Sequence, residues 1–181
     1  MSRLPTIDSS NASAAAKVLL DQTQAQLGRV PNLYRTMANS PAGLEGYLLF
    51  RGALVRGELK PLLREQLALI VAEENHCTYC VSAHTFRGQK MGLSADELEA
   101  NRRGEAADAK TAAALRFARS VVRDRGSVSE EEFAAVRTAG WSDSEIAEIV
   151  AHVALNTYSN IFNHVAQPTL DFPLVEAGQH A

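Results

Sequence analysis

The sequence predicts an all-α fold, a single compact multi-helix domain. Three observations predict it: apolar residues recur at helical spacing along most of the chain, serine–x–x–glutamate helix starts appear at Ser94, Ser129 and Ser142, and no segment alternates as a strand does. At 181 residues the chain is long enough to bury a core without covalent staples. It is 46% apolar and 22% charged, ordinary for a globular protein. A formal charge of −3 with no Lys/Arg run offers no footprint for nucleic acid and none for a membrane surface. The longest apolar run, LALIVA, is too short to span a bilayer, and MSRLPTIDSS lacks the apolar region of a secretory signal. The expected location is therefore cytoplasmic, where two close cysteines point to catalysis or metal binding rather than to a staple.

Residues 1–9, with Pro5, read as a loose tail. An Ala-rich helix follows over about 10–27 and stops at Gly28. PNLYRTMA is helical for a turn or two. Ser40-Pro41 reads as an N-cap followed by proline in the first turn, opening a helix to about Arg56. Pro61 opens the next, to about Glu73, whose only polar residues before Ala72 are Arg64, Glu65 and Gln66. A helix apolar on nearly all sides is a buried one. Glu65 therefore sits in apolar company, and such a carboxylate is paired, protonated or employed. A helix opens at the C-x-x-C and ends at Gly92; others cover 107–124 and 143–167, the three capping boxes marking starts in between and at the end. The last stretch, LDFPLVEAGQHA, looks irregular, with 174–181 a loose tail. Seven or eight helices are expected, in one domain spanning 1–181.

The chemistry concentrates in LREQLALIVAEENHCTYCVSAH, residues 63–84, which holds both cysteines of the chain, Cys77 and Cys80. If a helix starts at Cys77, then Cys77, Cys80 and His84 fall at i, i+3 and i+7, on one face. The helix N-terminus favours a thiolate at Cys77, whereas His84, one turn beyond Cys80, favours it at Cys80. A C-x-x-C in the first turn closes into a disulfide without backbone movement, the requirement of a two-cysteine peroxidase. A zinc site from Cys77, Cys80, His84 and Glu65 or His76 would draw nearly all its ligands from one short helix, a poor tetrahedral cage. The thioredoxin reading lacks its βαβ context.

The spacing of Glu65, eleven residues, Cys77, Thr78, Tyr79, Cys80, three residues and His84 resembles the alkylhydroperoxidase D and carboxymuconolactone decarboxylase superfamily, in particular its peroxidase-related branch. VPNLYRTMANSP, LKPLLRE and NTYSNIFNH are similar in style, so the resemblance covers about 28–173. It implies an alkylhydroperoxidase D-like helical domain, homo-oligomers (trimers or hexamers), and peroxide reduction with Cys80 as the peroxidatic and Cys77 as the resolving thiol. It further implies His84 as the base acting on the thiols, Glu65 exchanging its proton through water, and an external dithiol, a lipoyl domain or thioredoxin-like protein, as reductant. Tyr79 departs from the histidine of the best-characterised members, and a phenol is a poor base near neutral pH.

His76 adds positive charge beside Cys77 if protonated, and otherwise is a solvated surface residue; with Tyr79 it is an accessory candidate. His152, Asn156, Asn160 and Asn163 form a polar stripe on the last helix opposite Ile149, Val153 and Ile161, with His164 nearby; a solvated face is the favoured reading, beside a border of the active site or a subunit interface. Tyr47, Leu48, Leu49 and Phe50 read as core or oligomer contact. No Gly-rich nucleotide loop is present, so no NAD, FAD or haem is expected, and without a second Cys/His cluster no metal is expected either. Two alternatives stand beside the peroxidase: a carboxymuconolactone-decarboxylase-like acid/base enzyme, which has no use for two thiols, and a non-enzymatic thiol redox sensor.

Overall fold

The segment that is apolar on all sides is packed on all sides. In the computed structural model, which describes residues 2–180, it is the fourth of nine helices. In chain order these are α1 (Ala14–Leu27), α2 (Asn32–Met37), α3 (Pro41–Val55), α4 (Pro61–Glu74) and α5 (Thr78–Lys90), then α6 (Ala95–Arg102), α7 (Ala109–Arg123), α8 (Glu130–Thr138) and α9 (Asp143–Ala166). The described residues contain no strand. Helices α5, α6, α7 and α9 lie against α4. One flank of α4 gives Leu69 and Ala72 to a core shared with α1, α2, α3 and α5, through Leu20, Met37, Leu44 and Val81. The other gives Leu67, Ile70 and Val71 to a second core with α7, α8 and α9, through Leu115, Phe117, Val136 and Ile149. Each fully buried leucine of α4 contributes about 1.5–3 kcal/mol relative to exposure, which is why one continuous apolar helix organises both halves. None of the nine helices is long and apolar enough to cross a membrane.

The caps lie where short polar side chains meet free N–H groups. Ser40 accepts from Gly43 N with Pro41 in the first turn, and Ser129 and Ser142 form complete capping boxes with Glu132 and Glu145. Ser94 is a partial correction: it caps Glu97 N, but the Glu97 carboxylate does not return the bond. Helix α1 starts at Ala14 with Ser13 as cap, later than expected, because Asp8 ties Ser10 and Asn11 into a separate turn. Gly28, at φ 71°, supplies the left-handed residue that ends α1. The helix count exceeds the expected seven or eight because PNLYRTMA does form a helix of its own, α2.

The expectation of loose tails is wrong for the described residues; Met1 and Ala181 lie outside them. At the front, Arg3 N donates to Ala166 O (2.8 Å), Ile7 N to Arg35 O (3.1 Å), and Asn39 Nδ2 to Pro5 O (2.7 Å). At the back, residues 167–180 have no helix yet are pinned across the bundle. The buried Ser82 hydroxyl accepts from Val175 N (2.9 Å) and donates to Val175 O (3.2 Å). Arg102 donates to Glu176 O (2.7 Å), Arg119 to His180 O (2.7 Å), and His180 N to Glu73 Oε1 (2.9 Å). An irregular segment carries its backbone groups into the structure only if other elements satisfy them, and here distant side chains do.

Candidate functional site

The thiols are placed by the turn that ends α4. His76 takes a left-handed conformation (φ 52°), its N–H bonds Glu73 O (2.9 Å), and Cys77 N–H bonds Ala72 O (2.9 Å). This is the 5→2 and 6→1 pattern of a Schellman motif, here with histidine in place of glycine. The same turn makes Cys77 the N-cap of α5, so the expectation of a helix starting at the C-x-x-C holds. Both cysteines are reduced and buried, at 2% and 3% exposure. Asn163 of α9 donates Nδ2–H to Cys80 Sγ at 3.0 Å and lies 3.9 Å from Cys77 Sγ.

The two sulfurs are electrostatically unequal. The S–H of Cys80, donated to Cys77, lowers the Cys77 thiol below its ordinary range against the opposing effect of burial. The backbone N–H groups of Cys80 and Tyr79 and the Asn163 amide add to that lowering. Burial pushes the Cys80 thiol well up, and its neighbour Cys77 pushes it further. Of the two sulfurs, Cys77 is thus the one whose surroundings favour the thiolate. Asn163→Ala should raise the titration of the pair and slow its alkylation at neutral pH, about three- to tenfold for one lost hydrogen bond. Rates of iodoacetamide modification across pH measure this, and an unchanged profile removes Asn163 from the site.

A second cluster lies one turn along α5. His84 Nδ1 is 2.8 Å from Glu65 Oε2, and Arg87 Nε donates to the same oxygen at 3.1 Å. Burial alone would raise Glu65, but Arg87 and His84, by charge and hydrogen bond, bring it down to about 2. The Glu65 carboxylate is therefore paired and ionised. Burial lowers His84, and the charge of Arg87 lowers it further, with Glu65 opposing. Arg87 Nη2 lies 2.8 Å from His84 Nδ1 and 3.3 Å from Nε2, so the ring nitrogen that faces Glu65 also faces the guanidinium. Neither sulfur is hydrogen-bonded to His84 among the described residues. Cys80 and His84 instead share the wall of a cavity of about 30 Å³, room for one or two waters. Glu65 and His84 also line a larger cavity of about 130 Å³ that holds no cysteine.

The accessory candidates fall elsewhere. Tyr79 donates its hydroxyl to Asp171 Oδ1 (2.6 Å) and accepts from Leu33 N (3.1 Å), tying α5 to α2 and the closing segment. Burial first, then the bond to Asp171, pushes this phenol well above its usual range. His76 is exposed beside Cys77. The polar stripe of α9 is a correction: His152, Asn156, Asn160 and Asn163 are all buried, at 0–5% exposure, while Ile161 is 55% exposed. The reason is that α9 turns these amides toward α4, α5 and their connecting turn, where Asn75 Nδ2 donates to Asn160 Oδ1 (2.9 Å) and Asn163 meets the thiols. His164 Nε2 meets Asn75 O at 2.7 Å. Arg87 and Asp171 went unnoticed in the sequence. Arg87, at i+3 from His84 and i+7 from Cys80, carried a signal; Asp171, in an irregular segment, carried none.

The carboxymuconolactone decarboxylase family model matches residues 41–124, the stretch from α3 through α7 that contains Glu65, both cysteines and His84. No curated protein matches the chain at a significant level. Among solved structures, the chain is similar to an uncharacterized peroxidase-related protein from Ralstonia eutropha JMP134 with an alkylhydroperoxidase AhpD core. That likeness has 26% identity and a TM-score of 0.82 over 94% of this chain and 92% of the other. An uncharacterized peroxidase-related protein from Silicibacter sp. TM1040 is 25% identical, with a TM-score of 0.74 over 99% of this chain and 93% of that one. The debrominase Bmp8, in a variant solved with 2,3,4-tribromopyrrole, shares the fold at 17% identity and a TM-score of 0.79, covering 93% of this chain and 91% of its own. The fold, the matched segment and the two peroxidase-related structures support a place for the chain in the alkylhydroperoxidase D and carboxymuconolactone decarboxylase superfamily.

Proposed function

We propose that this protein is a thiol-dependent hydroperoxidase, reducing hydrogen peroxide or organic hydroperoxides through Cys77 and Cys80 with Glu65 and His84 as proton relay. The observation that carries the reading is a buried thiol pair within reach of one amide, Asn163, with Cys80 opening on a cavity walled by His84. The Cys80 sulfur attacks the distal peroxide oxygen as its proton passes to Cys77. The O–O bond breaks, Cys80 becomes a sulfenic acid, and the departing alkoxide takes a proton from water held at His84. The Cys77 thiol then attacks the sulfenic sulfur, forming the disulfide and releasing water. An external dithiol, on a lipoyl domain or a thioredoxin-like protein, returns the pair to the reduced state. A reducing, cytoplasmic setting keeps both thiols available.

The test is a thiol titration with mass spectrometry before and after one equivalent of hydroperoxide in metal-free buffer. Loss of both thiols and of two mass units, reversed by a dithiol, is the expected result; two persisting thiols would sink the proposal. Multiple turnover with a dithiol separates an enzyme from a redox sensor. The relay has its own signature. Glu65 stabilises protonated His84, so Glu65→Gln should move the acidic limb of the rate profile to lower pH. It should also slow turnover about ten- to a hundredfold, at or below the range for direct proton-transfer groups. An unchanged profile removes Glu65 from the relay.

One observation favours a second reading. The 130 Å³ cavity gathers Glu65, His84 and His152 with no sulfur, an arrangement suited to acid/base chemistry of the lactone-decarboxylase kind. Activity that survives alkylation of both thiols would favour it. For assembly we propose a homo-oligomer, a trimer or hexamer, supported by exposed Val150, Tyr158, Ile161 and Val165 along one face of α9. Sedimentation measures it, and a monomer at micromolar concentration refutes it.

A further inference from the structure

The larger cavity is built for more than a peroxide group. Its volume of about 130 Å³ is several times that of the cavity beside Cys80, and Tyr34, Tyr47, His84 and Arg87 wall both. The two cavities are therefore neighbours with His84 in the wall of each, and Cys80 lines the smaller. Three guanidiniums line the larger cavity, those of Arg51, Arg64 and Arg87, against the single carboxylate of Glu65. Two of them are engaged: Arg87 with Glu65, and Arg64 with Leu54 O (3.2 Å) and Val55 O (2.7 Å) at the end of α3. Arg51 has no hydrogen bond or ion pair among the described residues, yet its charge is felt at Tyr47 and His84.

A second, independent observation points into the same space. His152 lines the cavity at 5% exposure, and its Nε2 is buried without a hydrogen-bond partner. A buried polar atom left unpaired costs stability unless a ligand or water completes it. Burial, and secondarily the charge of Arg64, lowers this imidazole to about 4, so the ring is neutral at physiological pH and presents one hydrogen-bonding nitrogen. Hydrogen peroxide needs neither this volume nor a cation set apart from the sulfur.

We infer that this cavity binds a small organic anion, and that the preferred substrate is a carboxylate-bearing organic hydroperoxide, with Arg51 as counter-ion and His152 Nε2 completing the anion's hydrogen bonds. The reacting group of this substrate rests on the thiol-peroxidase reading; its carboxylate does not. A bond between a carboxylate and a guanidinium in a partly enclosed site supports about ten- to a hundredfold discrimination over a neutral isostere.

The experiment compares a short-chain carboxylate hydroperoxide with its primary amide, an uncharged probe of the same size. The expected ratio of kcat/KM, acid over amide, is about tenfold or more. It collapses to near one in Arg51→Gln and is largely retained in Arg51→Lys, and because it is a ratio, a general loss of activity does not mimic the effect. A ratio near one in the unaltered protein, or a ratio untouched by Arg51→Gln, overturns the inference. Calorimetry with the corresponding hydroxy-acid and hydroxy-amide, which contain no peroxide, tests the anion site alone. Tighter binding of the acid, lost in Arg51→Gln, supports it, and equal binding overturns it. If the acid binds and no hydroperoxide is turned over, the peroxidase reading fails while the anion site stands.

Discussion

Cys80→Ser should abolish hydroperoxide turnover, a loss on the order of a thousandfold or more, because an alcohol offers no thiolate and cannot hold the sulfenic state. Cys77→Ser should behave differently. Cys80 remains beside the His84 cavity, so one equivalent of peroxide is consumed and a sulfenic acid accumulates, but no disulfide forms and turnover stops. The two variants also read out the electrostatics. The charge on Cys77 is one of the causes that raise Cys80, after burial. With a neutral serine at position 77 that contribution disappears, and Cys80 should titrate lower than it does beside a Cys77 thiolate, with burial still holding it above an exposed thiol. Peroxide consumption followed with dimedone trapping and mass spectrometry checks both statements. Near-wild-type rates in both variants would end the thiol mechanism. Sulfenic acid trapped on Cys77 in the Cys80→Ser variant, and none on Cys80 in the other, would reverse the order of attack.

Arg102→Ala should cost about 3–5 kcal/mol of stability, the usual result of leaving a buried charge without its partner. Glu73 is wholly inaccessible, and Arg102, 5% exposed at its side chain, is 3.0 Å from it. Arg102 also donates to Glu176 O, and Glu73 accepts from His180 N. The pair is thus the clasp of the closing segment. Hydrogen exchange in Arg102→Ala should show residues 175–180 losing protection, and alkylation of Cys77 should quicken as the cover over α5 loosens. Urea denaturation measures the stability loss. A loss below 1 kcal/mol would mean that water reaches Glu73 once the arginine is gone. Replacing both residues with leucine should recover most of the stability, because a well-packed apolar pair often equals a buried ion pair, while the segment stays unclasped.

What the sequence determined by itself is whatever is written in short-range spacing. The all-round apolar pattern of α4 announced a central buried helix, and serine and proline announced most helix starts, because periodicity and capping act over three or four residues. Cys77, Cys80 and His84 were legible as one helix face because their spacing is their geometry, whereas Glu65 joined them only through the motif of the resemblance. Tertiary structure alone decided which groups complete them. Asn163 reaches the thiols from a helix 83 residues away from Cys80 in sequence, and Asp171 anchors Tyr79 from 92 residues away. The α9 amides illustrate the limit. By composition they read as a solvated stripe, and only the docking of α9 against α4 and α5 turned them inward. The closing segment read as loose because its own residues form no periodic pattern, yet Glu73, Ser82, Arg102 and Arg119 satisfy its backbone from across the fold. Local sequence encodes conformations whose partners lie within a turn; a hydrogen bond that closes a loop of eighty residues exists only once the core has brought its two ends together.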